Sequence, residues 1–80
     1  MASSLFSDSY AAFVEAVIAM RRAAGMTQAE LARRLGKPQS FISKSERQER
    51  RLDVAEFCAI ARALGQDPVD VVRTVIEKLP

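Results

Sequence analysis

The chain has no histidine, one cysteine, and only three glycines and three prolines in 80 residues. The missing histidine removes the side chain that most often supplies acid–base catalysis and metal ligation near neutral pH. No cluster of metal ligands and no phosphate-cradling glycine-rich loop takes its place, so no enzyme, metal or cofactor is expected. With Cys58 as the only cysteine there can be no internal disulfide, which fits a cytosolic chain. Long apolar runs are absent too. The longest lies near Ala16 to Met20, far short of a bilayer span. The first basic residue is Arg21, so the N-terminus lacks the charged start of a secretory signal. A cytoplasmic protein with no membrane partner is the expectation.

What is present is a foldable core and an uneven charge. Hydrophobic residues make up 49% of the chain, above the disordered range, and 80 residues suit a single domain. The expected ordered core runs from about residue 8 to 79, with 1–7 flexible. The net charge of +2 conceals a basic middle: residues 21–51 hold nine basic and three acidic residues, a net of +6, against −4 for the remainder. A concentrated basic segment is the electrostatic footprint of a polyanion partner.

The few glycines and prolines act as punctuation. Gly25, Gly36 and Gly65 each follow an apolar-periodic segment, where a left-handed helix end is wanted. Pro38 and Pro68 each suit a first helical position. Thr27-Gln28-Ala29-Glu30 reads as a capping box, Asp53-Val54-Ala55-Glu56 as a similar start, and Asp67-Pro68 as a capped start with proline. These marks predict five helices: about Asp8 to Ala24, Thr27 to Leu35, Pro38 to Arg47, Asp53 to Leu64 and Pro68 to Leu79. Tyr10, Phe13, Val14, Val17, Ile18 and Arg21 share a face of the first. The fourth is expected to bury Val54, Phe57, Cys58, Ala61 and Leu64. No stretch alternates like a strand.

Helices two and three are short, and only Gly36 and Lys37 separate them, the signature of a helix-turn-helix. On a 3.6-residue period Pro38, Ile42, Ser45 and Glu46 turn toward the core, while Gln39, Ser40, Ser43, Lys44 and Arg47 project outward. Glutamine can pair with adenine through two hydrogen bonds, and lysine can donate to guanine, so this outer face is suited to reading base edges. Arg33, Arg34, Arg47, Arg50 and Arg51 are candidates for phosphate contacts, which position a protein on DNA without specifying sequence. Lys37, in the turn, joins them.

Residues 26–36 followed by 38–47, with Ala63-Leu64-Gly65-Gln66-Asp67-Pro68 in series, resemble the lambda repressor and Cro family of DNA-binding domains, also called the xenobiotic-response-element (XRE) family. The resemblance spans about Ala16 to Val72. It implies an all-α, compact five-helix fold with helices two and three as the DNA-binding unit. It implies that Gln28 contacts a phosphate, that Gln39, Ser40 and Lys44 face bases, and that Arg21 and Glu46 pair to tie helix one to helix three. Ala32 matches a small residue that lets helices two and three approach. Two positions depart from the pattern. Ser45 stands where many relatives are apolar, and a buried hydroxyl there would turn to the Phe41 carbonyl one turn back. Gln48 stands where relatives often carry glycine, which leaves the geometry of the Arg47 to Leu52 loop unsettled by the motif.

Helix five carries Val69, Val72, Val75, Ile76 and Leu79 beside Val71, more apolar surface than one small core needs. This predicts a homodimer through helix five, with Leu5 and Phe6 as further candidates. The resulting expectation is a sequence-specific regulator that binds double-stranded DNA half-sites, similar to phage repressors or restriction-modification controllers, in a bacterial or phage nucleoid setting. An antitoxin whose main partner is a toxin protein is the competing reading. A small-molecule ligand is not expected, since little room is left for a pocket.

Overall fold

The chain forms α1 (Leu5–Ala23), α2 (Gln28–Leu35), α3 (Gln39–Glu46), α4 (Val54–Ala63) and α5 (Pro68–Glu77), and the ends of the first four close in the same way. After α2 the Gly36 N–H donates to the Arg33 carbonyl (3.1 Å) and the Lys37 N–H to the Ala32 carbonyl (2.9 Å), with Gly36 at φ +67°. This paired closure satisfies the orphan carbonyls of the last turn and needs a left-handed residue at the bend. The same pair of bonds ends α1 at Gly25 and α4 at Gly65. After α3 it forms again, from Gln48 to Ser45 (3.1 Å) and from Glu49 to Lys44 (2.9 Å). Gln48 sits there at φ +63°, the one non-glycine residue at positive φ among the described residues. A side chain in that conformation costs about 1–2 kcal/mol. The departure from glycine therefore changes the energy of this loop and leaves its left-handed form in place.

The computed structural model describes residues 5–79, with side chains from residue 7 onward. Leu5 and Phe6, as dimer candidates, fall outside the described side chains. There is no strand among the described residues. α1 thus starts three residues before the expected Asp8. The caps at Thr27 and Asp53 are full capping boxes, and the Asp67 carboxylate accepts from the Val69 N–H. Pro68 opens α5, but Pro38 stands just outside α3 as its cap, extended at ψ 155°. It supplies a fixed φ and no capping bond. Among the described residues no helix is long and apolar enough to cross a membrane.

α2 packs on α3 and α4, and α1 lies across α3 and α5. Val14, Val17 and Met20 from α1 meet Leu31 and Ala32 from α2, Ile42 from α3, Phe57 and Ile60 from α4, and Val71 from α5. Phe13 meets Phe57 edge to face at 4.9 Å. The face of α4 differs from expectation. Phe57, Ile60, Ala61 and Leu64 are buried, whereas Cys58 is exposed and Val54 is 78% exposed. The buried set follows a three- and four-residue spacing centred near Phe57, which leaves Cys58 about 100° round the helix from that residue. Val54, at the first position, overhangs the core's edge.

Ser45 is buried, and its hydroxyl donates to the Phe41 carbonyl at 2.6 Å. Beside it a void of about 10 Å³ is lined by Val14, Val17, Leu31 and Ile42 among others. Ser45→Val exchanges a local bond, whose acceptor keeps its helix partner, for apolar contact with that wall. Thermal melts should show a change between zero and about 1 kcal/mol of added stability. A clear loss would mean that the pocket has no room for the extra carbons.

Candidate nucleic-acid interface

The turn between α2 and α3 is fixed from three sides. Ala32, only 2% exposed, allows the two short helices to meet closely. Ile42 anchors α3 in the core. The third hold is ionic. Glu46 receives Arg21 Nε on Oε2 (2.7 Å) and Arg21 Nη2 on Oε1 (3.0 Å), while Arg21 Nη1 donates to the Met26 carbonyl (2.8 Å). Gln28 Nε2 donates to the same Glu46 Oε1 at 2.9 Å. One carboxylate thereby joins the end of α1, the start of α2 and the end of α3. Burial pushes the Glu46 pKa up, but the bonds from Arg21 and Gln28 outweigh it and hold the carboxyl below its usual range. The hydrogen bond to Glu46 likewise raises Arg21.

With α3 held this way, Gln39, Ser40 and Lys44 are exposed on its outer side. Ser43 is half-buried, and its hydroxyl makes a long 3.4 Å contact to the Ser40 carbonyl. Gln28, placed by resemblance at a phosphate, has one amide N–H committed to Glu46 and is half-buried. Nothing in the spacing of positions 28 and 46 signals that bond.

The basic residues are more engaged than a charge map suggests. Arg47 pairs with Glu49 at 2.7 Å, both exposed. Arg50 makes a two-pronged pair with Glu56 (2.9 and 2.6 Å), and its guanidinium lies 4.7 Å from the Phe41 ring centre. Lys37 Nζ reaches 5.6 Å from the same ring. Arg51 lies over the Tyr10 ring at 4.3 Å, while the Tyr10 hydroxyl accepts from the Leu52 N–H at 2.9 Å. Arg51 also lines an apolar groove of about 330 Å³ with Phe13, Val72, Val75 and Ile76. Arg34 donates to the Ala63 carbonyl at 3.3 Å, while Arg33 is exposed. The loop from Arg47 to Leu52 is therefore pinned to α4 by Arg50 and to α1 by Tyr10.

Glu56 has two duties, as the Arg50 partner and as the return half of the α4 capping box. The Arg50 bond, with the bond from the Asp53 N–H, pulls its pKa from 4.5 to about 2. A carboxylate whose pKa is lower in the folded chain stabilises that chain above its unfolded value and loses the contribution as pH falls through the folded value. Glu46 and Glu56 both act in this direction. Melting temperature should hold level down to about pH 5 and fall between pH 4.5 and about 2 as Glu56 takes up a proton. A melting temperature that rises on acidification through that window would contradict the pairing.

On α5, Val69 and Ile76 are each 58% exposed, with Val72 also exposed and Val75 half-buried; the helix ends at Glu77, two residues before the expected Leu79, which is exposed just beyond it. These residues repeat every three or four positions and form a stripe beside the groove that Arg51 lines.

Residues 17–71 match the Helix-turn-helix family. The chain is similar to the solved structure of an XRE-family like protein from Pseudomonas syringae pv. tomato str. DC3000, with 45% identity and a TM-score of 0.89 over 94% of this chain and 92% of that one. No curated protein matches it.

Proposed function

Because this chain belongs to the helix-turn-helix family, we propose that it is a sequence-specific DNA-binding regulator whose α3 reads base edges in the major groove. The observation that carries the reading is the outer face of α3. Gln39, Ser40 and Lys44 are exposed and have no role in the core, on a helix fixed from behind by Ile42 and Glu46. An α-helix fits the major groove, and these are side chains that can hydrogen-bond to base edges. Ser43 flanks this set. Gln28, Lys37, Arg47 and Arg50 stand as the phosphate-facing groups. Arg51, stacked on Tyr10 and lining the groove beside α5, is the phosphate candidate most engaged elsewhere.

The stripe of Val69, Val72 and Ile76 on α5, with Val75 beside it and Leu79 just past the helix end, supports a homodimer. A two-fold dimer reads two half-sites about one DNA turn, ~34 Å, apart. Its action on a promoter is steric, by blocking or recruiting polymerase.

Selection of bound sequences from random DNA tests both parts at once. Enriched sequences should form an inverted repeat with that spacing. An enriched single half-site would remove the dimer, and no enrichment at all would remove the function. Lys44→Ala, assayed on the selected site, should lose about 1–3 kcal/mol of binding and relax the preference at one or two base pairs. Because Lys44 is exposed, its melting temperature should not move. Equal binding by the variant would show that another face meets the DNA.

A further inference from the structure

Of the five residues that follow α3, four have partners. Arg47 and Glu49 neutralise one another, Arg50 is held by Glu56 and Phe41, and Arg51 lies on Tyr10. Gln48 is the exception. Its side chain is exposed and makes no hydrogen bond within the described residues. It occupies the single left-handed closure of the four that lacks glycine. The fold thus bears a strained backbone at this position and draws no hydrogen bond from the side chain that stands there. Strain kept at one position without a structural return is a mark of function.

The surroundings indicate which function. The Glu49 and Arg50 N–H groups both donate to the Lys44 carbonyl, at 2.9 and 3.3 Å. The loop is therefore folded back over the end of α3, with Gln48 at its bend and Lys44 on the adjoining turn. The residue's amide has two donors and a reach of three carbons, and it carries no charge. We propose that the Gln48 side-chain amide donates a hydrogen bond to a DNA phosphate next to the C-terminal end of α3. The proposal rests on the DNA-binding reading above.

A neutral donor to a phosphate has two distinguishing properties. It strengthens binding to every sequence alike, and it releases no counterion, so it leaves the salt dependence of binding unchanged. Since the contact is independent of sequence, a random-sequence duplex at low salt serves as the probe.

Two variants separate binding from folding. Gln48→Ala keeps a Cβ in the left-handed conformation, so it should melt with the parent and bind the duplex about tenfold more weakly. Gln48→Gly relieves the strain but frees the unfolded chain, so it should melt higher by about 2–4 °C and lose the same factor in binding. Plots of log affinity against log salt should be parallel for all three proteins. If the parent binds and both variants bind within about twofold of it, the proposed contact is wrong and the DNA-binding reading stands. A changed salt slope would likewise overturn the contact, by showing that the substitution disturbs a neighbouring cation. If the parent itself leaves the duplex free, the DNA-binding reading falls and takes the contact with it.

Discussion

Replacing Glu46 with alanine should destabilise the fold by about 3–5 kcal/mol, the loss typical of a buried ion pair deprived of one partner. The Arg21 and Glu46 side chains are only 10% and 8% exposed, so water cannot take over the missing carboxylate. Arg21 stays charged, keeps only the Met26 carbonyl as acceptor, and bears the full penalty of a buried unpaired cation. Gln28 loses its acceptor in the same step. A domain of this size has about 5–15 kcal/mol in total, so the variant would lose a large share of its stability. Urea denaturation measures the change. A loss under about 1 kcal/mol, the range of an exposed pair, would mean that Arg21 finds water after all. The double variant Arg21→Met with Glu46→Leu separates charge from packing. Exchange of a whole buried pair for apolar residues is often neutral or stabilising, so this variant should recover most of the stability. It should not recover DNA binding in full, because Gln28 would still lack its tether.

The second large effect lies at Ile42, which is 2% exposed and among the largest fully buried side chains. Ile42→Ala should cost about 2–5 kcal/mol, from lost transfer energy and the cavity left behind. The site already adjoins a small void, so little collapse is available to reduce the loss. α3 has eight residues and too few turns to persist without its anchor. DNA affinity should fall with the folded fraction, and saturating DNA should raise the melting temperature again, as for any ligand that binds only the folded chain. Lys44→Ala should behave in the opposite way, with affinity lost and stability kept. If Ile42→Ala melted with the parent, the core would not be what holds the recognition helix.

The parts of this molecule that were legible in its sequence are those governed by local chemistry. A capping box is complete within four residues, and a left-handed helix end needs one glycine, so Thr27, Asp53, Gly36 and Gly65 announced the helices before any packing was considered. The exposure of Cys58 is not legible for the complementary reason, while Val54 shares the buried side of α4 and is exposed because it stands at the helix's first position. Helix periodicity gives the width of an apolar face and leaves its centre uncertain by one residue, and only the neighbouring helices decide between Cys58 and Ile60. The links of Gln28 to Glu46, Arg50 to Glu56 and Arg51 to Tyr10 join residues that the fold alone brings together. They left no trace in spacing, and the basic segment therefore looked freer for DNA than it is.

The contact between Tyr10 and the loop after α3 has a consequence of another kind. The chain has one tyrosine and no tryptophan, so its fluorescence excited beyond the phenylalanine band comes from Tyr10 alone. That ring lies under the Arg51 guanidinium, and its hydroxyl is bonded to the Leu52 backbone. A phenol loses both influences when the loop lifts away. The protein therefore carries a built-in optical gauge of one loop, readable without any label, at the segment that joins α3 to the rest of the molecule.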